Sequence, residues 1–157
     1  MRYLFALLLS LCILLTGAVA STATVPSFET RLHQLLDRTR DVVDYLISHD
    51  YLIERIDVDL VMAGRNYISF HQFYDFYNHQ IIGIGEAGVI KLDGYILDSE
   101  GNSLVYDDED DAVPVLLFAP TTTGEHRLQF HWAETADGYP EDHLGYVAIV
   151  YALQHRE

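Results

Sequence analysis

Residues 80–106 read QIIGIGEAGVIKLDGYILDSEGNSLVY, and this stretch decides the fold. Three apolar runs, Gln80 to Ile84, Val89 to Leu97 and Ser103 to Tyr106, are separated by Gly85-Glu86-Ala87-Gly88 and by Asp98-Ser99-Glu100-Gly101-Asn102. Short runs rich in Ile, Val, Leu and Tyr, bounded by clusters of Gly, Asp, Ser and Asn, read as successive strands joined by tight turns. The same rhythm continues on both sides. Downstream, the acidic loop Asp107 to Asp111 precedes Val113 to Phe118, and Pro120-Thr121-Thr122-Thr123-Gly124 leads into His126 to Trp132. A polar loop from Glu134 to His143 then separates that strand from Leu144 to Leu153. Upstream, Tyr67 to Phe76 is aromatic and alternating, and Ala63-Gly64-Arg65-Asn66 turns the chain before it. Earlier still, Ile56, Val58, Leu60 and Met62 alternate with Asp57 and Asp59, which predicts a half-buried strand with the apolar side inward. Short strands at intervals of about 8–12 residues are the mark of an antiparallel sandwich or barrel.

Before Tyr51 the period changes from 2 to about 3.6. Phe28, Leu32, Leu35, Leu36, Val42, Val43, Leu46 and Ile47 form one helical stripe, and Ser27 after Pro26 is placed to cap it. The stripe is expected to dock on the chain's own core, a homodimer seam through the same helix being its other use. The expected fold is mainly β, an antiparallel jelly-roll-like β-sandwich of about eight strands with one N-terminal amphipathic helix. Residues 1–20 read as a signal peptide, 21–50 as a tail and helix, and 51–157 as the sandwich.

The signal-peptide reading rests on Met1-Arg2-Tyr3, the apolar run Leu4 to Leu15, the break at Thr16-Gly17 and the small-x-small Ala18-Val19-Ala20. That run is shorter than the roughly 20 residues that span a bilayer. Cys12 follows Leu11 where lipid attachment would need a small residue, so cleavage removes the chain's single cysteine. The exported form, periplasmic or extracellular, then has neither a disulfide framework nor a thiol nucleophile. The net charge is −15 and becomes more negative once Arg2 is gone. Such a chain repels phosphates and anionic membrane surfaces, which excludes a general nucleic-acid role, and no stable membrane insertion is expected after cleavage. Cations, neutral sugars and basic protein patches remain as partners.

From near Gly64 to Ala152 the chain resembles the small pre-peptidase C-terminal (PPC) β-sandwich domains found behind bacterial secreted peptidases. The resemblance is carried by Ile81-Ile82-Gly83-Ile84-Gly85, by Leu92-Asp93-Gly94-Tyr95-Ile96-Leu97-Asp98 with Gly101, and by Asp107-Asp108. It continues through Val113-Pro114-Val115, Phe118-Ala119-Pro120, Thr123-Gly124 and Gly145-Tyr146-Val147-Ala148-Ile149-Val150. It implies a jelly-roll-like sandwich with a non-catalytic role in binding, anchoring or assisting secretion. What stands before the sandwich here is the helix and not a peptidase domain, so the role of helping an enzyme does not transfer directly.

Eight carboxylates lie between Asp93 and Asp111. Loop carboxylates are the hard oxygen donors Ca²⁺ requires, and Asp93, Asp98, Asp107 and Asp108 are the candidates. The competing reading is a solvated loop that keeps strand edges soluble. The eight histidines show no H-x-x-x-H pair, and His126 and His131, five apart on a strand, face opposite sides. His71 and His79 flank a turn and would converge for zinc if their strands formed a hairpin. In the run Phe70 to Tyr77, Phe70, Tyr74 and Phe76 are expected to fill the sandwich while Tyr67, Phe73 and Tyr77 pack under the helix. The alternative is an exposed aromatic sheet face that stacks on sugar rings. No G-x-S-x-G elbow, H-E-x-x-H or phosphate-cradling loop occurs. The functional expectation is an exported, non-catalytic binding or structural module with a protein or glycan partner. A calcium-dependent form of that module and a carboxylate-pair hydrolase stand behind it.

Cleavage after Ala20 predicts an exported chain beginning at Ser21. Intact-mass measurement checks this, and a retained Met1 or an acyl adduct contradicts it.

Overall fold

The computed structural model describes residues 25–156. The signal-peptide reading of 1–20 lies outside the described residues. Ser27 caps the helix as its sequence suggests, its Oγ accepting the Thr30 N–H at 3.2 Å. Helix α1 (Phe28–Ser48) is followed by β1 (Leu52–Met62), β2 (Asn66–Phe73), β3 (Tyr77–Gly85), β4 (Val89–Leu97), β5 (Ser103–Asp107), β6 (Val115–Phe118), β7 (Gly124–Thr135) and β8 (Leu144–His155). The strands form two antiparallel four-stranded sheets, ordered β1-β8-β3-β6 (sheet A) and β2-β7-β4-β5 (sheet B). Successive strands cross from one sheet to the other except at the β4–β5 hairpin, which is jelly-roll connectivity.

The two-residue period sends alternate side chains into the space between the sheets. Phe73, Ile81, Leu92, Ile96, Leu128, Phe130, Trp132, Ile149 and Tyr151 meet there and are essentially inaccessible to solvent. Strand β8 sits between β1 and β3 and is apolar on both faces. Val147, Ile149 and Tyr151 face sheet B, whereas Tyr146, Ala148, Val150 and Ala152 join a second core beneath α1. That is why its sequence reads as a continuous apolar run and not as an alternation.

Helix α1 packs on the outer face of sheet A, over β8, β1 and β3. The buried stripe is rotated from the one its apolar residues suggest. Leu35 and Leu46 are buried and Leu32, Val42 and Val43 pack partly, but Leu36 and Ile47 are 45% and 57% exposed. Arg31 and Thr39 are buried instead. Each polar side chain has a partner that permits this: Arg31 pairs with the wholly buried Glu86, and Thr39 Oγ1 donates to the Leu35 carbonyl at 2.8 Å.

Two strand phases differ from the sequence expectation. In β1, Ile56, Val58, Leu60 and Met62 lie on the outer face, 42–44% exposed, because α1 leaves this edge strand only partly covered. Arg55, Asp57 and Val61 occupy the inner side, where the Arg55 guanidinium lies 4.2 Å from the Tyr151 ring centroid and pairs with Asp57 at 3.1 Å. Inward charges of this kind discourage edge-to-edge pairing. In β2 and the turn after it, Phe73 and Tyr67 line the sandwich interior, while Phe70 and Phe76 are 61% and 52% exposed. Of the aromatics expected under the helix, Tyr67 and Phe73 are not there because β2 belongs to sheet B and the helix sits on sheet A, and Tyr77, in β3, shares the inner face of sheet A with His79 and Ile81.

Glu86→Ala strands Arg31 as an uncompensated buried charge and should cost about 3–5 kcal/mol. Leu35→Asp should cost several kcal/mol, and Ile47→Asp, on the exposed flank, less than about 0.5 kcal/mol. Urea denaturation of the three variants checks the order. Equal losses at Leu35 and Ile47 would restore the wider stripe.

Candidate functional site

The four candidate carboxylates do not meet. Asp107 pairs with Gly94 across the β4–β5 hairpin, so Asp93, Asp107 and Asp108 share one end of it, while Asp98 sits at the turn. The Asp98 carboxylate is engaged within that turn. It accepts the Glu100 and Asn102 N–H groups at 2.9 and 2.8 Å and the Asn102 Nδ2 at 2.9 Å. The Asn102 side-chain bond in particular holds its pKa below the usual carboxylate range. Asp107 accepts the Glu109 and Val115 N–H groups at 3.2 and 2.8 Å. At the Asp93 end the chain supplies its own cation. Lys91 Nζ lies 2.8 Å from Asp110 Oδ1, 2.8 Å from the Asp108 carbonyl and 3.8 Å from Asp93 Oδ1. Its bond to Asp110 raises the lysine pKa, while burial raises that of Asp93.

A second feature is the outer face of sheet B, which lies on the opposite side of the sandwich from α1. Register aligns its outward side chains into rows across the strands. Ile68 of β2, Gln129 of β7, Tyr95 of β4 and Tyr106 of β5 form the central row. Asn66, His131 and Asp93 form a row on one side, with His131 Nδ1 2.8 Å from Asn66 Oδ1. Phe70, Arg127 and Leu97 form the row on the other. Ile68, Phe70 and Tyr106 are 50%, 61% and 63% exposed. A depression lined by Phe70, Asp98, Ser99, Glu125 and Arg127 continues the face toward the β4–β5 turn. Strands lie about 4.8 Å apart, so the central row is about 14 Å long.

The third feature is buried. His71 and His79 do converge, but not through a hairpin: they project from β2 and β3, in opposite sheets, into one end of the sandwich. Their ring centroids are 6.2 Å apart and the residues are 5% and 1% exposed. Glu54 joins them from β1. Ile53 pairs with Ala152 and Arg55 with Tyr151, so Glu54 is the extra residue of a β-bulge. The bulge turns Glu54 toward the interior beside Arg55, and its Oε2 comes within 3.4 Å of His71 Nε2. Burial lowers the pKa of His71 to about 4, lowers that of His79 and raises that of Glu54. Sequence reasoning missed Glu54, because a bulge becomes visible only once strand register is known.

No model of a known protein family matches the chain. No curated protein matches it either.

Proposed function

We propose that this protein is an exported, non-catalytic binding module that holds a neutral glycan on the open face of sheet B. The observation that carries the reading is the row Ile68–Gln129–Tyr95–Tyr106 with its polar neighbours on both sides. Two tyrosines side by side on adjacent strands present apolar ring surface to the apolar face of a sugar. The amides of Gln129 and Asn66 and the Arg127 guanidinium stand around them as donors and acceptors for hydroxyl groups. An open, elongated face suits a chain of sugar rings better than a compact molecule, which needs a concave pocket. The net charge of −15 favours a neutral saccharide over an acidic one. Jelly rolls serve lectins among other functions, which supports the reading by analogy alone. The resemblance to PPC domains points the same way, toward binding and away from chemistry.

The exported protein should bind members of a panel of neutral oligo- and polysaccharides. Tyr106→Ala and Tyr95→Ala should each weaken the best ligand at least about tenfold, close to 1.4 kcal/mol. Tyr106 is exposed, so its variant should melt like wild type. Repeating the measurement with millimolar Ca²⁺ distinguishes a calcium-dependent module from an independent one. Absence of binding across the panel, or equal binding by the tyrosine variants, rejects the reading.

A further inference from the structure

The geometry points to a transition-metal site at the end of the sandwich, in which Glu54, His71 and His79 hold a divalent ion of the zinc type. It is independent of the glycan-binding face. Three observations carry it. The first is proximity: one ligand atom from each residue lies within 4.8 Å of the other two. A tetrahedral zinc with bonds of about 2.0–2.2 Å sets neighbouring ligand atoms about 3.4 Å apart. Glu54 Oε2 and His71 Nε2 already stand at 3.4 Å, and His79 needs movement on the order of 1 Å to complete the set.

The second observation is that each imidazole carries an orphan nitrogen. His71 Nε2 and His79 Nδ1 are buried and make no hydrogen bond. Buried polar atoms without partners are scarce in folded proteins because each has lost its hydration without replacement. Two of them on adjacent imidazoles, beside a carboxylate, are accounted for together by one cation.

The third is the support behind His79. Its Nε2 accepts the Tyr74 N–H at 3.0 Å in one tautomer and donates to the Tyr74 carbonyl oxygen at 3.1 Å in the other. Metal binding through Nδ1 selects the tautomer with the proton on Nε2, in which the ring donates to that carbonyl. Metal-bound histidines are ordinarily held in this way by a backbone carbonyl. The His71 ring is fixed between Phe73 and Tyr151, at centroid distances of 4.7 and 4.8 Å.

The donor set, two imidazoles and one carboxylate, selects a first-row transition ion over Ca²⁺ or Mg²⁺, which prefer oxygen alone. The fixed positive charges acting on the ligands are Arg55, at Glu54 and His71, and Arg156, at His79, and Asp57 at 3.1 Å offsets Arg55. Glu54 is exposed at the edge of β1, so an ion can enter from that side. Three protein ligands leave one coordination position open to water or to a donor from a partner. Because the ligands come from β1, β3 and β2, the ion ties sheet A to sheet B at this end.

The test uses the exported protein dialysed against EDTA and titrated with Zn²⁺, and with Co²⁺ as a spectroscopic probe. The expected result is one equivalent bound, the visible absorption of tetrahedral Co²⁺, and a melting temperature raised by several degrees at about a hundredfold excess over Kd. Glu54→Gln and His71→Gln should each weaken Zn²⁺ at least tenfold, while His33→Gln, on the exposed side of α1, should leave it unchanged. If His71→Gln fails to fold, Glu54→Gln decides alone, because an exposed edge residue tolerates the change. No stoichiometric binding, or binding unaltered by Glu54→Gln, overturns the assignment.

Discussion

The Glu86 carboxylate is the point on which the parts of this molecule converge. It is fully buried in the connection between β3 and β4. One oxygen meets the Arg31 guanidinium and lies 3.0 Å from His143 Nε2, and the other accepts the Tyr146 N–H at 3.0 Å. A single side chain thereby joins the helix, both sheets through their connection, the β7–β8 loop and the central strand β8. The backbone has closed tightly around it. A Cβ on Gly145 would stand 2.7 Å from the Trp132 ring and 2.8 Å from Glu86 Oε1, and one on Gly88 would stand 2.8 Å from Tyr139. A buried ion pair is a weak source of net stability, but removing one member is costly. The pair therefore acts chiefly on where the helix sits: α1 docks with Arg31, not only with leucines, against the sheet.

The helix divides the sandwich into two unlike faces. Sheet A is covered and its central strand is apolar on both sides, so that face has become interior. Sheet B keeps its outer face in water, with tyrosine, isoleucine and phenylalanine among amides and charges. The surface available for recognition is thus defined by which sheet the helix chose.

Much of the architecture was legible in the residues themselves. The strand Val89–Leu97 has the bounds its flanking Gly and Asp residues suggest, and Ser27 caps α1 where Pro26-Ser27 implies. The phases of β1 and β2 were not legible. A period of two says that alternate residues share a face, but not which face is inside. In β1 the usual rule of apolar side inward failed because the strand is at an edge and its outer side lies beside a helix. In β2 the aromatics are so dense that both phases looked apolar. The candidate site was legible in part. His71 and His79 were flagged by their positions around a turn, whereas the partnership with Glu54 depends on a bulge and on the packing of two sheets. Lys91, one residue type among many acids, proved to be the counter-ion of the acidic end of the β4–β5 hairpin, a role that only distances reveal.

The strand order has a consequence for how the molecule comes into being. In sheet A, β1 and β3 touch only through β8, and Leu52 finds its partner at Leu153. In sheet B, β2 and β4 are joined only by β7. Apart from the β4–β5 hairpin, almost no strand can pair with a neighbour made just before it, so the entropy of closing long loops must be met before either sheet gains its centre. Sheet B gains its centre only when residues 124–135 have been synthesised, and sheet A only when residues 144–155 have. That delay leaves most strand edges unpaired until synthesis is nearly complete, so the cooperative step belongs to the whole chain and not to its first half.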